Sequence, residues 1–220
     1  MKLVAKEIFL KSNLINHKHT AKYNTIYKAM NDLAFYFKEG WQHIISTSAL
    51  DHQLFMIALT AVYLLKDYKK LLILITAFTI GHSLTLALSV YNVIRLQNTL
   101  VEFLIPCTII ITAMYNLTLK HYENKNIKLN YLFALFFGLI HGLGFANTIR
   151  FMLAKDQTIG WSLFGFNIGL EVGQIIVVSS ILLIAYLVVN ICKLKQKWWV
   201  VALSTIALLW AIKIALERFP

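Results

Sequence analysis

The sequence predicts an all-α integral membrane protein, a bundle of about six transmembrane helices that could form two three-helix halves. Of 220 residues, 59% are hydrophobic and only 14% are charged, whereas roughly 25% are charged in soluble domains. The apolar runs are also long enough to cross about 30 Å of hydrocarbon at about 1.5 Å per residue. A soluble helical protein would need more polar helix faces than this chain offers, so the lipid bilayer is a predicted partner.

The apolar runs define the predicted spans in chain order. Lysines flank these runs, which is the usual topology signal of a membrane protein. The net charge of +11 is therefore explained without nucleic acid as a partner. The predicted spans are Trp41–Leu65, Leu71–Tyr91, Asn98–Leu119, Leu129–Asn147, Trp161–Ile191 and Trp198–Ala215. Together they predict a single transmembrane domain over residues 30–220.

Residues 1–29 differ from the rest of the chain. They carry six lysines and no apolar run that could span a membrane. One interpretation is a basic amphipathic extension that lies on the membrane surface. The other is a misassigned start, with Met30 as the true first residue.

Five ionisable residues lie within four of the predicted spans: Asp51, His52, His82, His141 and Glu171. Such a residue at membrane depth costs about 2.5 kcal/mol or more and usually faces the interior of a bundle. Counted along each span, all lie roughly 9–15 Å below the same membrane surface, although alternate spans run in opposite directions. One shared site for a metal ion or a proton is the simplest explanation.

The fifth span has two different faces. Glycines recur there at every fourth position, at Gly165, Gly169 and Gly173. A row of small residues lets a neighbouring helix approach closely, whereas Asn167, Glu171 and Gln174 fall on the opposite face. That polar face could line a cavity as part of the site, or it could make hydrogen bonds between helices without any ligand.

Hydroxyl groups and glycines accompany the histidines of the second and fourth spans. Ser83 follows His82, and hydroxyl groups on the same helix could orient the imidazole as they do for metal-bound histidines. Gly138 and Gly142 bracket His141 at spacings that favour close approach of another helix. Both histidines are therefore candidate metal ligands.

The first span poses a question of direction. His43 and His52 are nine residues apart, so on a continuous helix they point to opposite sides. Only a break near residues 46–48 would turn both towards one site. His43 is thus either a ligand near the surface or an ordinary interfacial residue.

Four motifs resemble those of the HupE/UreJ family over about residues 33–215: Asp51-His-Gln-Leu-Phe55, Gly81-His-Ser-Leu-Thr85, Phe137-Gly-Leu-Ile-His-Gly142 and Phe166-Asn-Ile-Gly-Leu-Glu-Val-Gly-Gln174. The resemblance implies a protein of the bacterial cytoplasmic (inner) membrane that is linked to hydrogenase or urease maturation and carries nickel or cobalt. It also implies metalloenzyme maturation proteins as partners. A homo-oligomer is left open.

We therefore expect a membrane permease for a divalent transition-metal ion: nickel, cobalt or zinc. The expected ligands are Asp51, His52, His82, His141 and Glu171, and the expected supporting residues are His43, Ser83, Asn167 and Gln174. One alternative is an intramembrane zinc-dependent hydrolase in which a carboxylate activates water. Another is a metal sensor or assembly factor that transports nothing, and metal binding is common to all three.

Overall fold

The computed structural model describes residues 2–119, 127–153 and 159–220, and within these ranges every secondary-structure element is helical. This confirms the predicted all-α class. Short 3₁₀ turns lie at Thr47–Ala49 and Leu65–Asp67, and a π-helical turn at Leu187–Ile191. The helices are α1 (Lys2–Ile45), α2 (Leu50–Thr60), α3 (Tyr68–Val90), α4 (Asn98–Thr118), α5 (Ile127–Leu153), α6 (Ile159–Tyr186) and α7 (Gln196–Glu217).

Four helical segments of the described chain are long and apolar enough to cross a membrane. They are Leu65–Val90, Asn98–Thr118, Ile159–Ile191 and Gln196–Glu217. Within α5, the apolar part Asn130–Ala146 is shorter. The predicted count of six spans is therefore not confirmed, and the division into two three-helix halves stays a prediction.

The first predicted span, Trp41–Leu65, is not one continuous helix. It is divided between the end of α1, a 3₁₀ turn and α2. The amide Nε2 of Gln53 lies 3.1–3.2 Å from the carbonyl oxygens of Ile44, Ile45 and Ser46. Because the last carbonyl groups of a helix have no partner within it, this side chain satisfies the end of α1 and stabilises the break.

Helices α3 and α5 pack at very short range because glycines face backbone carbonyl groups. A Cβ atom at Gly81 of α3 would overlap the carbonyl oxygen of Leu135 in α5. A Cβ atom at Gly138 of α5 would overlap the carbonyl oxygen of Phe78 in α3. Neither position can therefore take a side chain without separating the two helices.

Helices α1 and α6 repeat this pattern at the same spacing. Gly169 of α6 faces the carbonyl of Phe37, and Gly40 of α1 faces the carbonyl of Phe166. In all four helices the glycine follows, by three residues, the residue whose carbonyl meets the partner's glycine. Helices α4 and α7 form a third pair, and the short α2 lies against α4, α6 and α7.

Candidate metal centre

Three histidines from three different helices meet inside the bundle. Each of His43 (α1), His52 (α2) and His82 (α3) offers a ring nitrogen, and these three nitrogens lie within 4.8 Å of one another. The His43 and His52 ring centroids are 4.6 Å apart, and the His82 ring lies 6.0 Å from both. Nitrogens that share one ion at about 2.1 Å lie roughly 3–4 Å apart, so small side-chain rotations would close this group on an ion.

The surroundings of these histidines leave their nitrogens without partners. His82 is fully buried and His52 is 7% exposed. Among the described residues, nothing hydrogen-bonds Nε2 of His43, Nε2 of His52 or either nitrogen of His82. Their rings pack instead on Phe78, Phe145 and Phe166.

Buried polar atoms are nearly always hydrogen-bonded, and leaving one unpaired costs about 1–3 kcal/mol. Several unpaired imidazole nitrogens that converge in one place are therefore unusual for a group that serves packing alone. Neutral imidazole suits nickel, cobalt, copper and zinc. The donor set fits a first-row divalent ion.

His141 of α5 lies next to the three-histidine group. Its ring is fully buried and lies 5.0 Å from the His52 ring. Thr108 of α4 donates its only hydroxyl proton to the carbonyl of Ile105 at 2.7 Å. The Thr108 oxygen, 3.2 Å from Nε2 of His141, must therefore accept the proton of that nitrogen. This leaves Nδ1 of His141 with a free lone pair and no hydrogen-bond partner among the described residues.

The polar face of the fifth predicted span joins α6 to α3. Thr76 donates to Oε1 of Glu171 at 2.7 Å, and Thr79 donates to Oε1 of Gln174 at 2.9 Å. Glu171 is not part of the three-histidine group. The polar face thus makes hydrogen bonds between helices, and a role for Glu171 as a metal ligand stays a prediction.

Two further predicted supporting residues also lie on α3 and α6. The Ser83 hydroxyl donates to the carbonyl of Thr79, one turn earlier in its own helix, at 2.6 Å. The side-chain oxygen of Asn167 is buried and has no hydrogen-bond partner among the described residues. Neither residue belongs to the three-histidine group.

Asp51 lies in a cavity that connects the surface to the histidines. The cavity has a volume of about 740 Å³, and His43, His52 and His141 line it. Arg218, just after the end of α7, donates to Oδ2 of Asp51 at 2.8 Å. The structure thus brings His43, His52, His82 and His141 together and places Asp51 in the access cavity, and their role in binding metal stays a prediction.

Three residues of this region escaped the sequence analysis. Thr108 is one of several hydroxyl residues in its predicted span, and Arg218 follows the last span by three residues, so neither gave a specific local signal. Gln53 belongs to the motif that begins at Asp51, and an amide beside a run of small polar residues could have indicated a helix break. Thr108 and Arg218 find partners in distant parts of the chain, His141 and Asp51, which local spacing does not reveal.

Comparison with known proteins supplies a family. Residues 18–218 match the family model described as HupE / UreJ protein, nearly the whole chain. The match begins inside the predicted extension of residues 1–29. No curated protein and no solved structure gives a significant match. On this match over residues 18–218, the chain belongs to the HupE/UreJ family.

Proposed function

We propose that this chain is a permease that carries a divalent transition-metal ion, nickel or cobalt first, across the bacterial cytoplasmic membrane in which it is a multi-pass protein. The observation that carries the proposal is the group of His43, His52 and His82, whose nitrogens lie within 4.8 Å of one another. The HupE/UreJ family is associated with nickel or cobalt transport or an accessory function. Nickel and cobalt are named on this family association, since imidazole alone does not distinguish them from zinc.

The surroundings of the group support transport. A cavity of about 740 Å³ reaches His43 and His52 from the surface, so an ion has a route to the nitrogens. Three imidazoles without a thiolate bind a divalent ion with moderate affinity, so the ion can be released again, as transport requires. His141 is the candidate fourth ligand, through its free Nδ1.

The carboxylates have different roles in this proposal from those expected from the sequence. Asp51 receives the ion in the cavity before the histidines do. Glu171 holds α6 to α3 through its hydrogen bond from Thr76. A hydrolase would need a carboxylate beside the metal as a general base, and measurements of metal content and metal flux separate it from a permease.

The decisive experiment compares metal content with metal flux. The purified full chain should carry roughly one nickel or cobalt ion, and removal of two ligands should abolish this binding. The test variant is the double substitution His52→Ala and His82→Ala, and the matched control is His19→Ala, an exposed histidine of α1. In liposomes that contain a metal-sensitive dye, the wild type and the control should pass the ion and the double variant should not.

Each other outcome identifies a different function. Tightly held zinc without flux would favour the hydrolase, and nickel or cobalt binding without flux would favour a sensor or an assembly factor for metalloenzyme maturation. Absence of bound metal, or equal flux in all three proteins, would contradict the proposal.

A further inference from the structure

The cavity above the histidines has a charge opposite to that of the chain. The whole sequence has 21 basic and 10 acidic residues. Among the residues that line this cavity, three carboxylates, Glu39, Asp51 and Glu102, face one guanidinium, that of Arg218. An acidic cavity with apolar walls raises the local concentration of cations.

Of the three carboxylates, that of Asp51 is nearest in sequence to a histidine of the group, and only one of its two oxygens has a partner. Arg218 holds Oδ2 of Asp51 at 2.8 Å, and the side chains are 34% and 16% exposed. The other oxygen, Oδ1, is buried and has no hydrogen-bond partner among the described residues. The next residue, His52, lines the same cavity with its unpaired Nε2. A carboxylate oxygen and an imidazole nitrogen without partners are thus adjacent along the chain.

We propose that Arg218 is a displaceable counter-ion that neutralises Asp51 while the cavity holds no cation. An incoming divalent cation replaces Arg218 at the Asp51 carboxylate and then passes to His52 and His43. This rests on the proposed function, since it concerns the route to the same metal centre. Displacement is feasible because the guanidinium is one-third exposed and can turn into water, where a partly exposed ion pair is worth little.

The exchange has a consequence for affinity and for selectivity. Arg218 competes with the metal ion for the Asp51 carboxylate. It therefore lowers the affinity of the cavity for the ion and speeds the release of the ion. A divalent ion brings twice the charge of the guanidinium to the same carboxylate, whereas a monovalent ion brings no advantage. The contact therefore disfavours sodium and potassium.

The test is a titration of the full-length purified chain with Co²⁺, followed by the visible absorption of the bound ion and by calorimetry. Arg218→Gln should bind Co²⁺ about two- to fivefold more tightly, as expected for release of a partly exposed ion pair. Asp51→Asn should bind it more weakly, and adding Arg218→Gln to Asp51→Asn should have no further effect, because the competition requires both charges. The matched control is Lys213→Gln, a nearby cation in the last turns of α7 that is also paired with a carboxylate, 3.8 Å from Glu217; it should leave Co²⁺ binding unchanged.

A purely structural ion pair makes the opposite prediction, since loss of either partner would then weaken binding. Weaker or unchanged Co²⁺ binding by folded Arg218→Gln would overturn the proposal. If that variant does not fold, Arg218→Lys decides: equal or tighter binding than wild type is expected, and weaker binding would count against displacement. If wild type binds Co²⁺ and loses it on substitution of His52 and His82, but Arg218→Gln gives no gain, only this inference fails. If wild type binds no Co²⁺, the proposed metal centre fails with it.

Discussion

The helix pairs α1–α6 and α3–α5 pack in the same way but end differently. In both pairs, a glycine three residues after the contacting carbonyl lets the two backbones approach closely. In one helix of each pair a histidine follows that glycine by three residues: His43 in α1 and His141 in α5. Helix α5 continues past its histidine to Leu153, whereas α1 ends at Ile45. Because α1 ends there, the chain continues directly into α2, and His52 of α2 packs against His43 of α1.

The partner helices of the two pairs differ as well. The residue after Gly81 in α3 is His82, whereas the residue after Gly169 in α6 is Leu170. Both are fully buried, one as a member of the histidine group and one in the hydrophobic core. The shared pattern is therefore one of packing, and the chemistry depends on which side chain occupies the position next to each glycine.

The largest expected effect tests whether the two pairs are equally dependent on their glycines. Gly81→Val and Gly169→Val should each lower the free energy of unfolding by about 3 kcal/mol, the upper end of ordinary overpacking, because the new Cβ would overlap a backbone carbonyl. The measurement is thermal unfolding of the purified protein in detergent. Gly160→Val is the control, since a Cβ there meets nothing within 4 Å. Tolerance of valine at one site alone would show that the pairs are not equivalent.

The second prediction compares the two histidines that occupy the same place in the two pairs. His43→Ala should weaken Co²⁺ binding at least about 100-fold, and His141→Ala only about tenfold, because His43 belongs to the three-histidine group whereas His141, the candidate fourth ligand, lies beside it. Calorimetric titration of both variants measures this. Equal losses would mean that His141 is as much a ligand as His43.

The third prediction concerns the break that distinguishes α1 from α5. Gln53→Leu removes the donor to the last carbonyl groups of α1 and should cost about 1 kcal/mol of stability. It should also weaken Co²⁺ binding several-fold, because the angle between α1 and α2 sets the distance between His43 and His52. Reduced stability with unchanged Co²⁺ affinity would show that the break forms without Gln53.

The smallest expected effect concerns the residue that orients His141. Thr108→Val removes the acceptor of the Nε2 proton and should cost about 1 kcal/mol, the lower end for an unpaired buried polar group, with a few-fold loss of Co²⁺ affinity. Thr112→Val is the matched control one turn further along α4, where the hydroxyl donates only to the carbonyl of Thr108. If both variants behave alike, the tautomer of His141 does not depend on Thr108.

The sequence by itself determined the class of the protein and the positions of its unusual residues. Long apolar runs predict helices because hydrocarbon leaves no other partner for the backbone, and ionisable residues inside those runs indicate a buried site. The glycines around His141 and along the fifth span also predicted close helix packing, which the structure confirms. The family follows from motifs spread over most of the chain.

Only the tertiary structure decided which of these residues meet. Depth along the span groups Glu171 with the histidines, whereas its hydrogen bond from Thr76 depends on how α6 lies against α3. A continuous first span would have separated His43 from His52, and the break that unites them depends on a side chain and three carbonyl groups. Arg218 reaches Asp51 from 167 residues away along the chain. Periodicity gives depth and face for one helix at a time, whereas the rotation of helices about one another is set by packing across the whole bundle.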